Sequence, residues 1–156
     1  MQIGILHSLG GCGSTVVAKC LSAMPDVIVI GETHPLALDW FDPAAQAREW
    51  YGMDIQSCGN WLDRIERIAE DAERHGKRLV IRDWTYRDFI GEPYGEPTYK
   101  LTTADLIGDG AEQQTALVRH PLRQWLSLDH RSGANLGSFM LGYLEFARLT
   151  SEMSRL

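Results

Sequence analysis

The feature that most constrains this chain is an apolar run near its beginning that leads into a glycine-rich turn. Residues 3–6 read Ile-Gly-Ile-Leu, which predicts a buried strand, and three of the four residues 10–13 are glycine. Apolar side chains then recur at helical spacing, so we expect a helix that begins near Ser14 and ends before Pro25. Such a turn directs the free N–H groups of the first helical turn, with roughly +0.5 of helix-dipole charge, at one spot. The pattern predicts a phosphate-binding loop, with an ordinary tight turn as the alternative.

The turn departs from the P-loop pattern of kinases and NTPases at a position that matters. Aligning residues 13–15 with Gly-Lys-Ser/Thr puts Ser14 in the place of the phosphate-binding lysine and Ser8 in the place of the first glycine. A kinase or NTPase would thereby lose its main cation against the β- and γ-phosphates. That class stays an alternative, with Asp83 as its candidate metal-holding carboxylate.

Composition narrows the class of protein. A chain of 156 residues is long enough for one domain with a proper core, and its net charge of −6 argues against a general nucleic-acid binder. Cys12, Cys20 and Cys58 have no paired metal-ligand spacing, so we expect reduced thiols, no metal site and a cytoplasmic protein. A secretory leader and a segment long enough to cross a bilayer are both lacking, so we expect no membrane partner.

Strands and helices are expected to alternate along the rest of the chain. The apolar runs predict further strands at residues 27–30, 78–82 and 114–118. Helices are predicted from Pro43, between Asn60 and Gly76, after Pro121 and from Phe139 to Met153. This order predicts a single α/β domain, a three-layer parallel sheet with helices on both faces.

Three details of this prediction concern the second half of the chain. Residues 85–102 show no clean period, so we interpret them as a long loop or lid. Residues 129–137 are polar and contain glycine, which predicts another loop. The last helix is expected to bury Leu141, Leu144 and Leu149, together with Phe146 or Ala147.

Two stretches together resemble one family. Residues 11–15 read Gly-Cys-Gly-Ser-Thr; they are followed by a helix, a strand and Gly31-Glu32-Thr33, an order that resembles the 5′-phosphosulfate loop of PAPS-dependent sulfotransferases. The spacing to Glu32 is similar to that of the tyrosylprotein branch. Residues 118–127, with Arg119 and Ser127 eight positions apart, resemble the 3′-phosphate motif of the family. The resemblance covers residues 3–35 and 79–130.

The resemblance implies a P-loop NTPase-like fold and a sulfuryl donor, 3′-phosphoadenosine 5′-phosphosulfate (PAPS), with the product PAP. It implies that the loop residues hold the 5′-phosphosulfate and that Arg119 and Ser127 hold the 3′-phosphate; the loop residues are Gly11, Cys12, Gly13, Ser14 and Thr15. The acceptor would be a hydroxyl or amine on a small molecule or peptide. The residues predict neither its identity nor the oligomeric state.

The resemblance also places the catalytic base at Glu32. A carboxylate just past a buried strand would accept the acceptor's proton more readily if it were buried, whereas a loop-bracing role is the structural alternative. His34 is the second candidate base, since imidazole titrates near neutral pH. His7 and His120 are expected to make structural hydrogen bonds near the end of the sheet.

The chain departs from the family in two places. Gly11 stands where the family usually has a lysine or arginine, and we expect Lys19, Arg82 or Arg123 to be the candidates for replacing that charge. Residue 156 follows soon after the second motif, so the family's C-terminal segment is expected to be missing. A degenerate relative that binds a nucleotide without turnover, a kinase or NTPase, and an interaction module without a ligand therefore remain alternatives.

Overall fold

The computed structural model describes residues 2–91, 95–132 and 135–153, with the side chains of residues 129–132 excluded. Four strands are present in this part of the chain: β1 (Ile3–Ser8), β2 (Val27–Thr33), β3 (Arg78–Asp83) and β4 (Ala111–Leu117). Seven α-helices accompany them: α1 (Ser14–Ser22), α2 (Pro43–Tyr51), α3 (Trp61–Arg74), α4 (Tyr86–Phe89), α5 (Thr102–Ile107), α6 (Pro121–Ser132) and α7 (Leu136–Met153).

The four strands form one parallel sheet in the order β2-β3-β1-β4. Ile5 of β1 pairs with Ile81 of β3 on one side and with Gln114 of β4 on the other. All carboxyl ends therefore meet at one edge, where open α/β sheets place their ligands. The expected α/β class with a parallel sheet and surrounding helices is confirmed.

The main core lies on one face of the sheet. Alternate residues of β1, β2 and β3 pack there against α2, α3 and α5, with Ile5, Ile30, Ile65 and Ile81 among the most buried side chains. Helix α1 packs on the opposite face, next to β2, and none of its residues is fully buried. A second apolar cluster, which includes Leu9, Phe89 and Phe139 at its centre, lies among α4, α6 and α7.

Local signals explain where the helices begin. Asp42 accepts the Ala44 N–H group ahead of α2, and Asn60 forms a reciprocal capping box with Asp63 at the start of α3. Each cap satisfies backbone donors that the first helical turn leaves without partners. The predicted starts of both helices are confirmed.

The interpretation of residues 85–102 as a long loop or lid is wrong for residues 85–91, whereas residues 95–101 form neither helix nor strand. Helix α4 lies within this segment, and Tyr86, Asp88, Phe89 and Ile90 are buried. The segment lacks a visible period because this helix is only four residues long and is held by tertiary contacts. Residues 92–94 lie outside the described residues.

The end of the chain also differs from the prediction. Helix α6 continues to Ser132, so residues 129–132 are helical rather than loop, while residues 133 and 134 lie outside the described residues. Helix α7 buries Phe139, Gly142 and Phe146, whereas Leu141 and Leu144 are 61% and 58% exposed. A side chain at Gly142 would collide with the Phe89 carbonyl, so this glycine allows α7 to pack closely against α4. In this part of the chain no helix is both long enough and apolar enough to cross a bilayer.

Candidate functional site

The glycine-rich turn leaves the N-terminus of α1 open. Gly11 and Gly13 take positive φ values of 81° and 98°, which non-glycine residues seldom adopt. Gly13 occupies the N-cap position of α1, and no side chain caps this helix. The first-turn N–H groups of Ser14 and Thr15 thus lie at the carboxyl edge of the sheet, as an anion site requires.

The second motif lies against this turn. Arg119 follows β4, and its Nη1 atom donates a 2.9 Å hydrogen bond to the Gly11 carbonyl. Ser127 of α6 lies beside the same glycine: a Cβ added at Gly11 would be 3.4 Å from the Ser127 Cβ. Gln124 donates to the Leu9 and Gly10 carbonyls at 3.0 and 2.9 Å. The structure therefore brings together the two motifs that the sequence singled out.

Arg82 supplies a cation next to the turn. It lies on the face of the sheet that α1 covers, and its Nη1 atom donates a 2.7 Å hydrogen bond to the Thr15 hydroxyl. Its Nη2 atom lies 2.6 Å from Glu32 Oε1 in an ion pair, with the Arg82 side chain only 10% exposed. Of the candidates for replacing the loop charge, Arg82 is the one for which we find a hydrogen bond to the loop. An arginine at the end of an apolar strand was the sequence signal for this role.

Glu32 occupies a β-bulge. Gly31 pairs with Arg82 and Thr33 with Asp83, so Glu32 is an extra residue on β2, and its φ of 50° lies in the left-handed region. Bulges re-aim side chains at the rims of sheets, and backbone strain of this kind clusters at functional sites. The Glu32 side chain is 47% exposed, so the burial expected for this carboxylate is not observed. The ion pair with Arg82, rather than burial, is therefore the main feature of the Glu32 environment.

Part of the glycine turn shares a crevice of about 210 Å³ with Arg82 and Glu32 at the carboxyl edge of the sheet. The turn contributes Gly10, Gly11 and Ser14, while Glu32 and Arg82 line another side. Asp83, Trp84 and Tyr86 of the β3–α4 connection complete much of the wall. Cys12 is partly exposed and is a free thiol.

His34 lies in a different environment from Glu32. It is fully buried, its Nδ1 atom accepts the Leu36 N–H at 3.1 Å, and its Nε2 atom lies 3.2 Å from Asp88 Oδ1. Burial alone would raise the pKa of Asp88, but His34, Thr102 and Thr98 outweigh it and lower that pKa. This arrangement favours a structural role for His34.

A second buried pair underlies the crevice. His7 Nδ1 lies 3.0 Å from Asp83 Oδ2, and His7 Nε2 lies 3.1 Å from the Gln114 side-chain oxygen. Burial alone would lower the pKa of His7, but the hydrogen bond and charge of Asp83 outweigh it and raise that pKa. Asp83 also accepts hydrogen bonds from the Thr85 and Thr103 hydroxyls. Both carboxylate oxygens of Asp83 are thus engaged by neighbouring side chains, which argues against the metal-holding role considered for it. The described residues contain no cluster that could hold a metal ion.

In comparisons with protein-family models, with curated proteins and with solved structures, no match was found.

Gly11→Ala should destabilise the protein more than Gly52→Ala does. Both glycines have positive φ, but a Cβ at Gly52 would meet nothing within 4 Å, whereas one at Gly11 would lie 3.2 Å from the Gln124 carbonyl oxygen. We expect the strain at Gly52 to cost about 1 kcal/mol and the change at Gly11 to cost more. Urea unfolding measures both, and equal losses would contradict the close contact between the turn and α6.

His7→Gln should remove a pH-dependent part of the stability. Because the folded pKa of His7 is raised above its ordinary 6.5, the histidine's contribution is fully present below that pH and is lost as the pH rises through the folded pKa. The difference in Tm between wild type and His7→Gln should be larger at pH 5.5 than at pH 8.5. Thermal unfolding at both pH values tests this; a difference that grows with pH would show that the assigned direction is wrong.

Proposed function

We propose that this protein binds PAPS and transfers its sulfuryl group to a hydroxyl or amine acceptor, a small molecule or a peptide. The observation that supports the proposal is the contact of Arg119 and Ser127 with Gly11, because the two segments proposed to hold the two phosphate groups of one donor lie next to each other. The free cysteines, Cys12, Cys20 and Cys58, support a cytoplasmic location.

Three features of the turn and its surroundings fit a donor with two phosphate groups. The uncapped α1 N-terminus offers N–H groups and dipole charge to the 5′-phosphosulfate. Gly11 keeps open a space next to Ser127 that a side chain would fill. Arg119 can present its planar fork of N–H donors to the 3′-phosphate, with the Ser127 hydroxyl beside it.

The bound donor would supply an activated sulfuryl group. In the transfer, a bond forms between the acceptor oxygen or nitrogen and sulfur while the bond from sulfur to the phosphate oxygen breaks, and PAP leaves with that electron pair. Arg82 is placed to stabilise the charge that develops on the leaving phosphate, a contribution that fixed cations and N–H donors make in such reactions.

Glu32 is proposed to accept the acceptor's proton. The bulge aims its carboxylate into the crevice, and the exposure of the side chain leaves it accessible to an acceptor. The ion pair with Arg82 orients both groups before the substrates bind. Glu32 is therefore our proposed base, and His34, which is buried against Asp88, is not.

A second candidate function is nucleotide binding without turnover. It is favoured by Gly11, which replaces the basic residue of the loop, and by the Glu32–Arg82 ion pair, which occupies both proposed catalytic groups. This alternative shares the donor site with the first proposal but differs in chemistry, so binding and turnover must be measured separately.

PAP should stabilise the protein against heat, whereas ATP should not, because the Arg119–Ser127 pair is proposed to bind a 3′-phosphate. A ligand at one hundred times its Kd adds about 2.7 kcal/mol to the free energy of unfolding. Arg119→Ala should remove most of the shift in Tm, and the control Arg148→Ala, which changes an exposed ion pair on α7, should keep it. Equal shifts with ATP and PAP would contradict the assignment of the second motif.

Glu32→Gln should keep the PAP-induced shift in Tm and lose turnover by a factor of about 10² to 10⁴, the usual contribution of a general base. Turnover is measured as transfer of labelled sulfate from PAPS to a panel of phenols, alcohols, amines and tyrosine peptides. The exposed Glu145→Gln serves as the control. If wild type binds PAP but sulfates no member of the panel, the binding-only function is the better description; unchanged activity in Glu32→Gln would remove its role as base.

A further inference from the structure

A second concavity lies on the other side of the contact between Arg82 and Thr15. It has a volume of about 260 Å³ and runs between α1 and α2 over the outer strand β2. We name it the Trp50 groove, after the residue that forms one wall. Its other lining residues include Thr15, Lys19, Val29, Gly31 and Arg82. It shares Arg82 with the crevice described above.

The wall of the groove is held rigidly. Tyr51, which follows Trp50, donates from its hydroxyl to the Val29 carbonyl at 3.0 Å and accepts the Val29 N–H at 2.9 Å. Gln46 accepts the Gly31 N–H at 2.8 Å. These bonds fix α2 along the edge of β2 and so set the backbone position of Trp50, whose side chain is 56% exposed.

The indole of Trp50 and the Nε–H donor of Arg82 lie close together next to Gly31. A Cβ added there would lie 3.7 Å from Trp50 Cη2 and 3.6 Å from Arg82 Nε. That Nε atom is buried and has no hydrogen-bond partner among the described residues, while Arg82 itself is 8% exposed. A buried N–H group without a partner costs free energy, which a ligand oxygen at this end of the groove would recover.

Lys19 places a positive charge at the other end of the Trp50 groove. It lies one helical turn beyond Thr15 on α1, about 6 Å along the helix axis. The charged residues that line the groove are Lys19 and Arg82, both positive, and we find no ion pair for Lys19 within the described part of the chain. The groove therefore suits a flat molecule with a hydroxyl at one end and an anionic group at the other.

We propose that the Trp50 groove binds the sulfuryl acceptor, and that this acceptor is a phenol carrying a carboxylate. The phenolic oxygen accepts from Arg82 Nε, the ring packs against Trp50 and the carboxylate lies at Lys19. This inference rests on the proposed function for its chemistry: the phenolic oxygen forms the bond to sulfur, the bond from sulfur to the phosphate oxygen breaks, and the phenolic proton passes to Glu32. The binding site itself does not depend on the donor.

The test measures binding of 4-hydroxyphenylacetate, with 4-methylphenol as the uncharged comparison, by calorimetry and ligand-observed NMR without any nucleotide. Wild type should bind the carboxylate about fivefold more tightly than the neutral phenol, as expected for one exposed charge pair. Lys19→Gln should abolish that preference, and Lys100→Gln, a change at an exposed lysine outside the groove, should keep it. Trp50→Ala should weaken both probes at least about tenfold, whereas Trp50→Phe retains a flat wall and should bind.

The proposal is overturned if wild type binds neither probe, if Trp50→Ala binds both unchanged, or if Lys19→Gln keeps the preference. PAP-induced shifts in Tm, measured on the same variants, separate this result from the proposed function. Probe binding without a PAP shift would overturn the sulfotransferase proposal and leave the groove as an anionic-phenol site. A PAP-induced shift in Tm without probe binding would overturn the groove proposal and leave the sulfotransferase proposal standing.

Discussion

The parallel pairing of β1 with β3 and β4 is the constraint on which the site depends. Because the three strands run in the same direction, their carboxyl ends reach one edge, and the segments that follow them meet there. The glycine turn follows β1, Asp83 ends β3 and Arg119 follows β4. A residue more than one hundred positions away can thus donate to the Gly11 carbonyl. Sheet topology alone produces this proximity.

Two buried carboxylates organise the polar layer beneath that edge. Asp83 accepts from Thr85 and Thr103 and faces His7, while Asp88 accepts from Thr98 and the backbone and hydroxyl of Thr102 and faces His34. A buried carboxylate without such donors would be strongly destabilising, so the threonines and histidines must be held in place around each one. This layer fixes the β3–α4 connection that forms one wall of the crevice. It also explains why residues 85–91, which the sequence assigned to a long loop or lid, are largely buried.

The sequence predicted the fold in those places where local patterns have one solution. The apolar runs marked the strands, and Asn60 with Asp63 marked the start of α3, because a cap and its periodic stripe depend on neighbouring residues. Helix α7 shows the opposite case. It carries two apolar stripes, and its close approach to α4 at Gly142 selects the one with Phe139 and Phe146. A contact with a distant element decides that choice, so local periodicity cannot.

The candidate site divides in the same way. The glycine turn, Arg119 and Ser127 could be singled out in the sequence as candidates because short motifs of backbone amides, hydroxyls and arginines are typical of phosphate sites. Arg82 was only one of several possible cations, and its hydrogen bond to Thr15 depends on the packing of β3 beside β1. The exposure of Glu32 and its pairing with Arg82 arise from a bulge that no local pattern predicts.

The sequence by itself determined the order of the strands and of the longer helices, and the positions of the glycine and arginine motifs, since these depend on interactions between near neighbours. Only the tertiary structure decided which cation contacts the turn, which carboxylates are buried and how Trp50 and Arg82 come to flank Gly31. Those arrangements join residues that are distant along the chain, and they exist only once the sheet has formed.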